Sequence, residues 1–225
     1  MFRIVRTVSV AAVCMFAAAA AAQSGARALL SAAVAATQAA KTDYAFDLNL
    51  ETPKQTWSAR FEPHATPRLR LVQPRRDELT NDERRAFDRL AEQMEGVSWC
   101  ASEGLGRVDA VSLVREDETS AVYAFQPSAE SVRGQQARRF ADRLRGELTL
   151  LKASPDIARI RIYAPQPFSP MPLVRVETLD VAIACQTAPN GRRYAADTVT
   201  VVRGRAFGQA FNERTAQHAR NLAPP

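Results

Sequence analysis

Histidine is the scarcest chemically versatile residue in this 225-residue chain: there are two, His64 and His218. His64 sits in the turn-like run Glu62-Pro63-His64-Ala65-Thr66-Pro67 and His218 lies near the C-terminal end. Neither has a helical histidine partner or a neighbouring carboxylate group at metal-ligand spacing. Cysteine is nearly as sparse, with Cys14, Cys100 and Cys185. No histidine or third cysteine sits near either of the last two, which argues against a two-cysteine metal site. A G-x-S-x-G elbow is missing, which removes support for a hydrolase of that type. Gly104-Leu105-Gly106 lacks the third glycine and the strand-to-helix context of a phosphate loop. The consecutive acids Glu116, Asp117 and Glu118 project to different sides of the chain and read as a solvated hairpin tip. Together these absences predict no catalytic residue, no metal and no cofactor. A hydrolase of envelope material is left only with His64 as its visible candidate.

Lysine is rare too, at Lys41, Lys54 and Lys152, so the net charge of +6 is carried almost entirely by arginine. What the chain does have is an export signal over residues 1–22. Arg3 and Arg6 form a basic n-region, Thr7 to Ala21 a mostly apolar core, and Ala20-Ala21-Ala22 a small-residue cleavage site. The apolar stretch is about 15 residues, short of the ~20 that span a bilayer as a helix. Cleavage before Gln23 removes Cys14 and two arginines, leaving a single mature domain, 23–225, of net charge +4. The expected location is the periplasm. An exported basic protein does not meet nucleic acid, so its arginines imply peripheral contact with anionic headgroups or a solvated surface. Cys100 and Cys185 then form an even pair in an oxidising compartment, which predicts a disulfide; the rival reading is two separate buried thiols.

Periodicity predicts an α+β protein built on antiparallel strands. Residues 26–41 are alanine-rich and read as an N-terminal helix. Residues 43–72 read as a meander of strands. Tyr44, Phe46, Leu48 and Leu50 alternate with polar or small residues, then Trp57, Ala59 and Phe61 do the same, then Leu69 and Leu71. Thr80 and Glu83 have capping-box spacing, and Phe87, Leu90, Ala91 and Met94 share one face of a helix over 80–95 that ends at Gly96. Strands are expected over 97–125. A second amphipathic helix over 129–145 carries Ala137, Phe140, Ala141 and Leu144 on one face. Gln73-Pro74 and Gln126-Pro127 precede similar helix sequences, which is either a duplication or a coincidence of alphabet. Strands resume over 147–207, with a turn at Ser154-Pro155-Asp156 and a hairpin at Asn190-Gly191. The proline-rich run from Ala164 to Pro172 is unsuited to a central strand. Val174 and Val176 occupy one register while Leu179, Val181, Ile183 and Cys185 occupy the other, a phase switch that predicts a bulge. Residues 209–222 read as a polar tail ending in a loosely docked helix.

The order of these elements resembles the periplasmic lipoprotein-carrier (LolA-like) family. The best local matches are the helix-to-strand entry ending in Tyr44-Ala45-Phe46-Asp47-Leu48, the hairpin from Glu147 to Tyr163 and the strand ending in Gly204-Arg205-Ala206-Phe207. The resemblance implies a curved antiparallel sheet, a half-open barrel, lidded by the N-terminal helix and two inserted helices. It implies a non-enzymatic envelope protein binding lipid or a lipidated protein partner. The apolar candidates for such a concave face are Tyr44, Phe46, Leu48, Trp57 and Phe61, opposite Ile160, Ile162, Val174 and Val176. The alternative is a periplasmic interaction or scaffold protein with a filled core, no ligand and an envelope protein partner.

Overall fold

A computed structural model describes residues 28, 31–33, 35, 43–100, 111–129, 138–153 and 156–224. They form an unclosed, antiparallel sheet of 11 strands. The strands are β1 (Ala45–Glu51), β2 (Thr56–Phe61), β3 (Leu69–Gln73), β4 (Val111–Glu116), β5 (Ser120–Phe125), β6 (Arg145–Leu151), β7 (Asp156–Tyr163), β8 (Phe168–Met171), β9 (Val174–Thr187), β10 (Arg193–Ala206) and β11 (Gln209–Ala223). Their spatial order is β3-β2-β1-β11-β10-β9-β7-β6-β5-β4, with β8 pairing β9 outside that path. One helix, α1 (Asn81–Gln93), follows β3. Residues 1–22, expected to be an export signal, lie outside the described residues, as does Gly104-Leu105-Gly106.

Directly opposed residues of paired strands point to the same face. The register therefore follows one apolar face across the sheet. Phe61 opposes Phe46, Leu48 opposes Ala219, Thr198 opposes Ile183, Ile183 opposes Ile160, Ile160 opposes Leu148, and Leu148 opposes Tyr123. Two buried clusters form on this face. The first gathers Tyr44, Phe46, Leu48, Trp57, Phe61 and Leu69 under Phe87 of α1, with Leu90, Ala91 and Met94 packed at its margin. The second gathers Tyr123, Phe125, Leu148, Leu150, Ile157 and Ile160 with the helical residue Ala33 and both cysteines. Gly146 makes room within it, because a Cβ there would come within 2.1 Å of the Phe125 ring.

Helix α1 forms as its sequence specifies. Thr80 Oγ1 accepts from the Glu83 amide at 3.3 Å, and the Glu83 carboxylate accepts from the Thr80 amide at 2.8 Å. The helix seats Phe87 edge-on to Trp57, ring centroids 5.8 Å apart. Behind the helix the chain is strapped to the sheet. Trp99 bridges Tyr194, the Cys100 amide donates to Arg193 O at 3.0 Å, and Cys100 is disulfide-bonded to Cys185 of β9. Residues 97–100 make this bridge rather than the expected strand, and 101–110 lie outside the described residues.

The phase switch in β9 is a bulge. Val176 opposes Gly204 and Thr178 opposes Arg203, leaving Glu177 as the extra residue. A second irregularity, at Ala196 of β10, falls where the two clusters meet. Gly191, at φ +81°, turns β9 into β10. Strand β8 is an edge strand carrying Pro170, as its composition requires.

Two expectations are corrected. Residues 209–222 are not a tail or a docked helix but most of β11, which lies between β1 and β10. It reads as polar because its outer face is matched to carboxylates on its neighbours. Asp47 of β1 binds Asn221 at 2.7 Å and Asp197 of β10 lies 2.6 Å from His218. The expected helix over 129–145 ends differently in its described part. Ala141–Arg143 is a single 3-10 turn, and β6 begins at Arg145. Side chains take up the carbonyls that a longer helix would use: Gln126 Nε2 donates to Ala141 O at 2.8 Å and to Leu144 O at 3.0 Å. Residues 130–137 of that segment lie outside the described residues.

The disulfide closes an 85-residue separation, for which chain entropy gives about 4–5 kcal/mol as an upper figure. Replacing both Cys100 and Cys185 by serine should lower the melting temperature by roughly 5–15 °C. Thiol titration of unreduced, denatured protein should find neither cysteine. Two reactive thiols at these positions with unchanged melting would contradict the strap.

Candidate functional site

The nine apolar candidates share one face of the sheet or its immediate approach, but they do not share one cavity. Tyr44, Phe46, Leu48, Trp57 and Phe61 are buried in the first cluster. Phe46 stacks on Phe61 at 5.0 Å and Tyr44 meets Trp99 at 6.2 Å, so these rings are already covered by protein. Ile160 is buried in the second cluster, with Ile162 at its margin. Val174 and Val176 belong to neither.

Between the clusters the same face continues through the candidates Val174, Val176 and Ile162 and through Leu179, Val181, Val202 and Phe211, which sequence alone did not single out as a site. Val176, Leu179 and Val181 of β9 align with Gly204, Val202 and Thr200 of β10. Thr200 and Gly204 in turn oppose Thr215 and Phe211 of β11. Leu179, Val181, Val202, Val174, Phe211 and Ile162 are all half-buried. None of them except Ile162 appears in either cluster among the described residues. The one signal in the sequence was the phase switch itself: once Glu177 is bulged out, Val176 and Leu179 fall on one face. Chemically this strip offers apolar contact with a few hydroxyls, and one carboxylate, the exposed Glu213 opposite Val202, at its β11 margin. It suits a hydrocarbon chain, whose CH₂ groups each gain about 0.8 kcal/mol on burial.

The opposite face is polar, and it carries the charged network of the central strands. His218 Nδ1 lies 2.6 Å from Asp197 Oδ1, and its Nε2 lies 3.9 Å from Glu51. Arg220 also binds Asp197 and donates to Ala196 O at 2.7 Å, holding the bulge carbonyl. Burial raises the Asp197 pKa, but the hydrogen bonds from His218 and Arg220 outweigh it and hold the carboxyl below its ordinary value. Asp47 is likewise lowered, first by its Asn221 hydrogen bond and against its own burial. Sequence alone missed this network because Glu51, Asp197 and His218 are brought together by strand pairing, not by spacing.

His64 is exposed in the β2–β3 turn, on a shallow cleft of about 590 Å³ shared with Asp88 and Glu92 of α1. Asp88 is engaged twice by Arg76, at 2.7 and 2.9 Å. That hydrogen bonding holds its carboxyl below the ordinary range, away from general-acid work. At the β4–β5 turn, Asp117 accepts from the Thr119 and Ser120 amides at 2.8 and 2.7 Å, and Glu116 pairs with Lys152 at 3.1 Å. The acidic run is thus a hydrogen-bonded hairpin tip. Among the described residues no group of three or more His, Cys, Asp or Glu is placed to hold a metal, and no helix is long and apolar enough to cross a membrane.

No family model matches the chain, and no curated protein or solved structure matches it.

A carboxylate held below its ordinary value of 3.8 stabilises the fold above that pH and loses its contribution as pH falls through its lowered value. Asp197→Asn should cost about 1–3 kcal/mol in urea unfolding at pH 7. It should also flatten the loss of stability below pH 3.8. Equal acid sensitivity of both proteins would contradict the network.

Proposed function

We propose that this chain is a non-enzymatic, exported envelope protein of LolA-like architecture. Its concave sheet, a half-open barrel lidded by helices, holds the acyl part of a lipid or of a lipidated partner. The observation that carries the reading is the strip of half-buried Val174, Leu179, Val181, Val202 and Phe211 around the buried Val176. It is continuous with two packed clusters yet is a member of neither. A filled core has no use for an apolar strip left half-open, because covering it would add stability. The scaffold alternative draws on the first cluster, where α1 already fills the sheet with Phe87. It accounts for that end and leaves the central strip unexplained.

The bulges suit this role. A strand that gains a residue on one side bends, so Glu177 and Ala196 curve the sheet around the strip. The disulfide strap holds the α1 end of the sheet covered, confining any ligand to the centre.

Native mass spectrometry on protein purified from the periplasm without detergent should reveal a heterogeneous adduct series that collapses to the apo mass on organic extraction. A single clean mass at every stage would contradict a tightly held cargo. Val181→Asp and Val202→Asp, each at a half-buried position, should weaken displacement-assayed binding of a fluorescent fatty acid at least tenfold. Their far-ultraviolet circular dichroism should match the wild type. Undiminished binding in both variants would place the ligand elsewhere.

A further inference from the structure

The far end of the long strands is built unlike the rest of the sheet. Pairing of β1 with β11 stops at Ala216, and pairing of β7 with β9 stops at Asp180. Beyond those limits β8 to β11 continue alone as a tongue. The seven residues Gln209 to Thr215 extend it by about 24 Å at ~3.4 Å per residue. Its tip consists of two tight turns lying side by side, joined by the Phe207 amide donating to Leu173 O at 2.9 Å.

Both turns hold a large apolar residue where glycine or asparagine is the low-energy choice. Leu173 has φ +64° and Phe207 φ +52°, in the left-handed region that side chains of this size avoid. Both are also offered to solvent: Leu173 is 73% exposed, Phe207 74% and neighbouring Met171 50%. Backbone strain and apolar exposure at the same two residues are unfavourable for folding alone and point to a surface that is covered in use.

The charges behind the tip say what covers it. Arg175 and Arg205 oppose each other directly across β9 and β10, and Arg203 lies two residues behind on the same face. Like charges placed opposite one another destabilise a strand pair unless an anion lies between them. The nearby acids are Glu177, which lies 3.8 Å from Arg205, and Glu213, which opposes Val202 on the other face. Arginine exceeds acid here even when both are counted. Arg175 and Arg205 sit two residues behind Leu173 and Phe207, about 7 Å along the strands. That distance matches the roughly 5–7 Å depth of a headgroup layer outside the hydrocarbon.

We infer that the β8–β11 tongue is a docking tip for an anionic phospholipid bilayer, with Leu173, Phe207 and Met171 entering the acyl boundary and Arg175, Arg203 and Arg205 meeting phosphates. This goes beyond the concave-face reading and stands on different residues. The apolar strip nevertheless runs into the tip through Val176 and Val174, the latter directly opposite Met171.

Flotation with vesicles of 70% phosphatidylcholine and 30% phosphatidylglycerol, beside pure phosphatidylcholine, tests it. Wild type should float with the anionic vesicles at 0.1 M NaCl and be released at 0.5 M. Leu173→Gly with Phe207→Gly suits both left-handed turns, so it should melt no lower than wild type yet lose at least tenfold in partitioning. Arg175→Gln with Arg205→Gln should lose about fivefold per arginine on anionic vesicles only. Phe207→Trp keeps the bulk and should blue-shift its emission when the anionic vesicles are added. Val181→Asp should partition as wild type, which separates failure of the tip from failure of the concave site. Unchanged flotation of the glycine or glutamine pair would overturn the inference. So would a wild-type dimer in sedimentation velocity that the glycine pair abolishes, because the tip would then be an interface between copies.

Discussion

Main-chain pairing of β11 with β1 on one side and β10 on the other makes this molecule one sheet. Without it the N-terminal meander β1–β3 and the strands β4–β10 would be separate sheets, each with an open edge. β11 contributes little apolar burial of its own; only Ala216 and Ala219 are deeply buried along it. It is held by ladder hydrogen bonds and by the outer-face network of Asp47, Asp197, His218, Arg220 and Asn221. Each such bond contributes only about 1 kcal/mol net, but leaving one unmade in a half-buried setting costs more. The central strand is therefore fixed by ladder pairing and polar satisfaction.

Where a helix or a strap is available, the apolar face is closed, as at Phe87 over Trp57 and at the Cys100–Cys185 bridge. Along β9 and β10, where the ladder bulges at Ala196 and Glu177, Val174, Leu179, Val181 and Val202 are only half-buried. Beyond Ala196, which closes the first cluster, the same face of β10 and β11 carries Thr198, Thr200 and Thr215 together with Gln217 and Glu213.

Much of this was legible in the sequence, for identifiable reasons. The meander could be read because Phe46, Leu48, Trp57 and Phe61 each bury one face while their neighbours stay polar. Helix α1 could be read because Thr80 and Glu83 cap it reciprocally. The bulge could be read because a register slip at Glu177 moves every following apolar residue to the other parity. β11 could not be read, because neither of its faces is uniformly apolar and its partners for Asp47 and Asp197 are recognised only after pairing. The 3-10 turn at Ala141–Arg143 was hidden for a related reason: the Gln126 side chain that satisfies it arrives from another segment. The shared face of the nine apolar candidates was legible, but not that α1 covers five of them, nor that Leu179, Val181, Val202 and Phe211 join Val174 and Val176. Period-2 alternation says which side chains share a face, not which of them a helix then covers.

The most direct test of the account is paramagnetic broadening of amide resonances by a spin-labelled fatty acid. The account expects loss of signal centred on Leu179, Val181, Val202 and Phe211, with the amides around Phe61 and Phe87 unaffected. Broadening confined to the first cluster, or none at all at saturating label, would contradict a half-open apolar strip as the binding surface.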